Sequence, residues 1–263
     1  MILAGRTVLL TGATGGLGHA IARRLHAAGA VLMLTGRRAE VLEPLAAETG
    51  ARSLAVDLAD PEAVARLASE CTDVDVLVSN AGLPGSGLLT SFSVDEIDRA
   101  LAVNLRAPMV LARALTEHMV ARGAGHLVFM SSLAGKVGTP RSSVYSATKF
   151  GLRGFAQSLR EDLRPSGVGV SAIFPGFVRD AGMFHDTGTK LPPGVGTVSP
   201  QDVADAVVRA IERNRGEVDV APVGLRAGAK AAGLAPDLAA TVQRKLGGQR
   251  IAEDHVSAQT TKR

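Results

Sequence analysis

Residues 6–28 constrain the fold more than any other stretch. Arg6-Thr-Val-Leu-Leu-Thr11 is a short β-rich run, Gly12-Ala-Thr-Gly15-Gly16-Leu-Gly18 follows, and a helical pattern then sets Leu17, Ala20, Ile21, Leu25 and Ala28 on one face. Strand, glycine turn, helix is the context that makes a glycine motif a phosphate site. The glycines let the backbone approach a pyrophosphate, and the helix N-terminus supplies free N–H groups and a positive dipole end. Gly12, Thr14, Gly15, Gly16, Leu17 and Gly18 are therefore candidate dinucleotide contacts. The spacing is Gly-x-x-x-Gly-x-Gly, not the Gly-x-Gly-x-x-Gly of many dehydrogenases.

Alternating strand and helix signals continue along the chain. A second strand, Val31–Thr35, ends in Gly36-Arg37-Arg38. In a dinucleotide fold this strand end meets the adenosine ribose, where an acidic residue binds the 2′-hydroxyl and an arginine accommodates a 2′-phosphate. Gly36 occupies the acidic position and two arginines follow; the plain alternative is an arginine in solvent at a helix start. A third strand, Ser53–Asp57, leaves Asp57 at its end, within reach of an adenine amino group. A fourth, Val74–Ser79, ends in Asn80-Ala81-Gly82, and the glycine again permits close approach to a ligand. From Asp95 to about Arg122 runs a long helix, interrupted by Pro108 and apolar on more than one face. Asn104 lies within it, either as a structural plug or as a catalytic group, because a buried amide needs partners.

The apolar run His126-Leu-Val-Phe-Met-Ser-Ser132 reads as a buried strand that delivers Ser132 at its end. The helix that follows carries Tyr145-Ser-Ala-Thr-Lys149, with the only tyrosine of the chain. Residues four apart stack on a helix, so the Lys149 ammonium can approach the Tyr145 phenol and bring its pKa toward the working range. Alone, such a pair is ordinary helix surface. With Ser132 to polarise a carbonyl it suits a hydride-transfer site. A sixth strand, Gly167–Phe174, closes on Pro175-Gly176. Residues 177–198 read as a mobile substrate loop with Phe177, Met183, Phe184 and Leu191 as candidate contacts. Ser199-Pro200-Gln-Asp202 starts a helix, and Glu217–Ala221 is a short last strand.

Bulk composition bounds the class. At 263 residues and 46% hydrophobic, the chain can build one large core. A single cysteine, Cys71, excludes an internal disulfide framework. No signal peptide and no apolar run near the roughly 20 residues of a membrane span is seen, so the expected location is cytoplasmic. The net charge of +4 comes from scattered arginines and a basic tail, which argues against nucleic-acid binding. No metal is expected.

Taken together, Thr11-Gly-Ala-Thr-Gly-Gly-Leu-Gly18, Asp57-Leu58, Ser79-Asn80-Ala81-Gly82, Asn104, Ser132, Tyr145-Ser-Ala-Thr-Lys149 and Pro175-Gly176 resemble the short-chain dehydrogenase/reductase family over roughly residues 5–222. The resemblance implies an α/β fold of Rossmann type, a doubly wound, seven-stranded parallel sheet in one domain. It implies that Tyr145 gives or takes the proton, that Lys149 holds the nicotinamide ribose and depresses the phenol pKa, that Ser132 orients the carbonyl, and that Asn104 anchors a water leading to Lys149. Leu58, Asn80, Ala81, Gly82, Pro175, Gly176 and the Val178 backbone complete the implied cofactor contacts with Asp57, Arg37 and Arg38. Three departures stand out: Ser79 replaces an asparagine, Asp180 replaces a threonine, and the Asp-Gly-Gly ending common in acyl-carrier reductases of the family is absent.

The expected protein is an NADP(H)-dependent oxidoreductase of a ketone, aldehyde or secondary alcohol, with NAD(H) not excluded and a hydrophobic substrate favoured. The alternatives are a non-catalytic dinucleotide sensor, an NAD-dependent alcohol dehydrogenase, and an epimerase or dehydratase using the same Tyr–Lys pair. Domain boundaries fall at 1–222 for the catalytic domain and 223–263 for a C-terminal extension with a disordered end. The apolar helix 95–122 and the Tyr145 helix are expected to pack against their copies in a homodimer or homotetramer.

Overall fold

The structure, a computed structural model, describes residues 1–188, 191, 195–237 and 241. Seven strands form one sheet: β1 (Thr7–Leu10), β2 (Val31–Gly36), β3 (Arg52–Ala55), β4 (Val76–Ser79), β5 (Gly125–Met130), β6 (Val168–Pro175) and β7 (Glu217–Val220). Their order is β3-β2-β1-β4-β5-β6-β7, and every pairing is parallel. The expected doubly wound, seven-stranded sheet is what the chain builds. β5 and β6 are buried at every position, as strands covered on both faces must be.

The helices are α1 (Gly16–Ala27), α2 (Ala39–Thr49), α3 (Pro61–Glu70), α4 (Val94–Leu101), α5 (Ala107–Ala121), α6 (Ser143–Asp162), α7 (Pro200–Glu212) and α8 (Val223–Leu234). Successive strand residues point to opposite faces, and β1 divides accordingly. Val8 and Leu10 join Ile21 and Leu25 of α1, Leu42 of α2 and Val207 of α7. Leu9 joins Leu67 of α3, Leu111 of α5 and Leu152 of α6 on the other side. The sheet is thus sandwiched between two helical layers. β1 and β4 are neighbours in the sheet while the chain winds outward from them in opposite directions. Their C-terminal ends therefore open the crevice in which such sheets bind ligands.

Local chemistry explains the helix starts. Asp60 caps α3 by accepting from the Glu62 N–H at 2.9 Å, ahead of Pro61 in the first turn. Ser199 and Asp202 form a reciprocal capping box on α7, as Ser93 and Glu96 do on α4.

Two elements differ from expectation. The helix expected over 95–122 breaks at a π-helical turn, Ala102–Arg106, and not at Pro108. Pro108 follows directly on that turn within a continuous run of helical backbone, so its missing N–H leaves a carbonyl of the π turn without its helical donor. The stretch from Val223 carries α8, which buries Ala229 and Ala232 despite its glycines. The disordered end expected near residue 263, and part of the loop 177–198, lie outside the described residues.

Candidate active site

The glycine loop and the end of β4 form one joined unit. Gly12 has a φ of +67°, and a Cβ there would stand 2.6 Å from the Ala81 Cα. A Cβ on Gly18 would run into the Gly12 carbonyl oxygen. The buried Thr11 hydroxyl accepts from the Asn80 and Ala81 N–H groups, each at 3.1 Å. The Asn80 amide donates back to the Thr11 and Gly12 carbonyls at 3.1 and 3.2 Å. Gly15 and Gly16 are exposed, and no side chain caps α1. The first-turn N–H groups beside Leu17 thus lack a side-chain partner, the donor set an anionic pyrophosphate fits. Thr11 was not singled out from the sequence as a site residue; its place directly before the first glycine was the available signal.

At the end of β2 the two arginines divide. Both guanidinium groups are exposed, but Arg38 donates to the Thr14 carbonyl at 3.0 Å and so is tied to the loop. Gly36 lies under the Thr14 side chain, with room for no Cβ. Asp57, just past β3, accepts from the Ala59 N–H at 3.0 Å and pairs with Arg99 of α4 at 2.9 Å. Burial works to raise the Asp57 carboxyl, but the Ala59 N–H, Arg99 and Arg37 together outweigh it and hold it below its ordinary value. Leu58 turns inward and is buried beside Val64 and Leu67.

The catalytic candidates meet at the C-terminal ends of β4 and β5. Lys149 is buried and donates from Nζ to the Met130 carbonyl at 2.8 Å. A Cβ placed on Gly82 would lie 3.6 Å from Lys149 Nζ and 3.5 Å from both Asn104 Oδ1 and Met183 Cε, so these groups converge on Gly82. Asn104 sits fully buried in the π-helical turn, an irregularity often found at functional sites. Its Oδ1 accepts from the Leu83 N–H at 2.7 Å, and its Nδ2 donates to the Leu83 carbonyl at 3.0 Å and the Thr148 hydroxyl at 3.3 Å. The amide thereby pins the loop after β4 to the helix that carries Lys149. This is the plug reading.

Ser132 lies past the end of β5 and caps a short 3₁₀ turn, Leu133–Gly135, accepting from the Ala134 N–H at 3.1 Å. That turn presses on α6. Ser131 Oγ donates to the Lys149 carbonyl at 3.0 Å, and a Cβ on Gly135 would come within 2.7 Å of the same carbonyl oxygen. Burial pushes the Tyr145 phenol up to about 12, while the adjacent Ser132 hydroxyl acts in the opposite direction. Burial also lowers Lys149 to about 8. The expectation that the ammonium brings the phenol pKa down is not met in this state. Lys149 Nζ stands 5.5 Å from the centre of the Tyr145 ring and is turned to Met130, so burial prevails.

The loop after β6 covers the crevice. Gly176 donates to the Val220 carbonyl at 2.9 Å, just after Pro175. Val178 bridges Val198, with the Phe177 carbonyl and Arg179 N–H making the bonds, so Val178 keeps its own N–H and C=O out of that pairing. Phe177 and Phe184 pack ring against ring at 5.0 Å. A Cβ on Gly16 would lie 2.7 Å from the Ala181 Cβ, which places this segment directly on the glycine loop.

Fold and site together define a class: a doubly wound α/β enzyme built around a dinucleotide crevice. The short chain dehydrogenase family model matches residues 6–192. The ketoacyl reductase HetN of Nostoc sp. is 38% identical over 228 residues, covering 83% of this chain and 79% of that protein. A short-chain dehydrogenase from Sphingobium yanoikuyae, solved in complex with NADPH, superposes with a TM-score of 0.77 at 29% identity, over 88% of this chain and 96% of that one. A metagenomic short-chain oxidoreductase solved with NADP gives 0.72 at 36% identity, over 85% of this chain and 100% of that one. The chain belongs to the short-chain dehydrogenase/reductase family, a family of oxidoreductases that bind NAD(P). Among the described residues no helix is long and apolar enough to cross a membrane, and no group of three or more His, Cys, Asp or Glu could hold a metal ion.

Proposed function

We propose that the protein is an NADP(H)-dependent reductase of a ketone or aldehyde, able to run in reverse on a secondary alcohol. The observation that carries this reading is the phenol of Tyr145, set beside the Ser132 hydroxyl and one helical turn from Lys149, at the strand ends that also carry the glycine loop. When bound, the nicotinamide supplies the hydride to the carbonyl carbon, or takes it from the alcohol carbon. Tyr145 gives its proton to the carbonyl oxygen, and the Ser132 hydroxyl donates to that oxygen and orients it. Gly12, Thr14, Gly15, Gly16, Leu17 and Gly18 would hold the pyrophosphate, and Lys149 with Asn80, Ala81 and Gly82 the nicotinamide ribose. Pro175, Gly176 and the backbone of Val178, whose N–H and C=O lie outside the Val198 pairing, would line the nicotinamide. Asp57 and the Leu58 backbone would hold the adenine, and Arg37 the 2′-phosphate. Asn104 would act by holding the Gly82–Leu83 loop and by anchoring a water toward Lys149.

Two solved relatives that carry NADPH or NADP support the cofactor, and a relative named ketoacyl reductase supports the reaction class. Phe177, Met183 and Phe184 favour a hydrophobic carbonyl. Leu101 and Phe150, exposed on α4 and α6, mark the face that would be covered in a homodimer, which light scattering at micromolar concentration tests. Cofactor oxidation with a panel of ketones, aldehydes and β-ketoacyl thioesters tests the activity. Turnover with NADPH at a lower KM than with NADH is expected. Binding of NADPH without turnover of any member would instead favour a sensor.

A further inference from the structure

We propose that Arg99 is a specificity residue for the 2′-phosphate: by engaging Asp57, it keeps that carboxylate off Arg37. The inference rests on the reading that Arg37 receives the phosphate. β2 and β3 run parallel with Gly36 opposite Ala55, and the Val56 N–H donates to the Gly36 carbonyl at 2.9 Å. Arg37 and Asp57 therefore leave the sheet at adjoining positions on strands about 4.8 Å apart. An aspartate so placed is a natural partner for the arginine, and such an ion pair would occupy the charge that a phosphate needs.

The observed pairing is different. Asp57 Oδ1 is taken by the Ala59 N–H at 3.0 Å, and Oδ2 by Arg99 at 2.9 Å. Arg99 reaches it from α4, a helix that packs on α6. Among the described residues no carboxylate lies within ion-pair distance of Arg37, and Arg38 is already committed to the Thr14 carbonyl. The Arg37 charge nonetheless acts on the Asp57 carboxyl, so the two are electrostatically coupled without being paired. Arg99 thus leaves Arg37 as the unpaired guanidinium at the end of β2, ready for a dianion. Without Arg99, Arg37 is the remaining cation whose charge acts on the released Oδ2. The carboxylate would then neutralise Arg37, repel a 2′-phosphate and accept from a 2′-hydroxyl.

Equilibrium titration of the full-length protein with NADPH and with NADH tests this. Arg99→Gln is expected to weaken NADPH by about two- to fivefold, the range open to a partly exposed ion pair, and to leave NADH unweakened. The double variant Arg99→Gln/Asp57→Asn removes the released carboxylate and is expected to restore the wild-type ratio of the two affinities. Equal weakening of both cofactors by Arg99→Gln, or a double variant no better than the single one, overturns the proposal. Arg37→Ala separates the two layers of the argument. If it leaves the ratio unchanged, the phosphate reading itself fails and the proposal falls with it. If it collapses the ratio while Arg99→Gln does not, only the role given to Arg99 is wrong.

Discussion

Thr14 roofs Gly36: a Cβ on Gly36 would stand 2.5 Å from Thr14 Cγ2 and 3.0 Å from Thr14 Oγ1. The missing carboxylate at the end of β2 is therefore a packing requirement as well as a choice of charge. Gly36→Asp should lower stability by about 1–3 kcal/mol, the usual cost of overpacking, besides disfavouring NADPH. Adding Thr14→Ala removes both clashing atoms and should return most of that stability while leaving NADH preferred. Thermal melting and cofactor titration of both variants check this, and an unchanged melting temperature in Gly36→Asp would contradict the packing.

Tyr145→Phe should keep the fold and NADPH affinity and lower turnover by on the order of 10²-fold or more, since it removes only the proton donor. The phenol lies near 12 with its proton on at neutral pH, so alcohol oxidation, which needs the phenolate, should rise with pH. Ser132→Ala deletes the hydroxyl that favours the phenolate and should move this rise to higher pH. A profile that stays put would remove Ser132 from contact with the phenol.

Lys149→Met should abolish turnover yet stabilise the cofactor-free protein. The folded pKa of about 8 lies below the ordinary 10.5, so holding the ammonium costs stability at every pH below about 8. A depression of that size is worth on the order of 3 kcal/mol. The cost fades as pH rises from 8 to 10.5, and so should the advantage of the methionine variant. Denaturant unfolding of both proteins across this window is the measurement, and a difference independent of pH would refute the burial argument.

Thr11→Val keeps the shape of the side chain but strips the acceptor from two N–H groups at the end of β4. Stability should fall by about 1–3 kcal/mol, and the KM for cofactor should rise, because the Asn80–Gly82 segment loses its tie to the glycine loop. Hydrogen exchange at Asn80 and Ala81 reports the loosening directly.

The strands and helix starts were legible because each is written locally. Asp60-Pro61 and Ser199-Pro200-Gln-Asp202 carry their caps within four residues, and the buried runs of β5 and β6 are apolar but for His126 and Ser171, which bond each other at 2.8 Å. The catalytic candidates were legible as motif letters, although their electrostatics were not. The spacing of Tyr145 and Lys149 says that the two can meet, but not that burial and the Met130 carbonyl compete for the outcome. Pro108 drew attention as a breaker, whereas the irregular turn forms where buried Asn104 finds Leu83 and Thr148, partners distant in the chain. The Asp57–Arg99 pair joins residues 42 apart, in no shared motif, and exists only because the fold brings the Arg99 side chain of α4 to the end of β3. α8 was missed because glycine disfavours helix locally, and its burial of Ala229 and Ala232 is a tertiary effect.

The solitary phenol described at the crevice has a practical corollary. The chain contains one tyrosine and no tryptophan. Beyond the weak, shorter-wavelength bands of phenylalanine, its near-ultraviolet absorbance and intrinsic fluorescence are accordingly those of Tyr145, the residue proposed to exchange the proton. Ionisation of that group, approach of a nicotinamide ring and entry of a carbonyl can each be followed optically in the unmodified protein, with no label and no substitution.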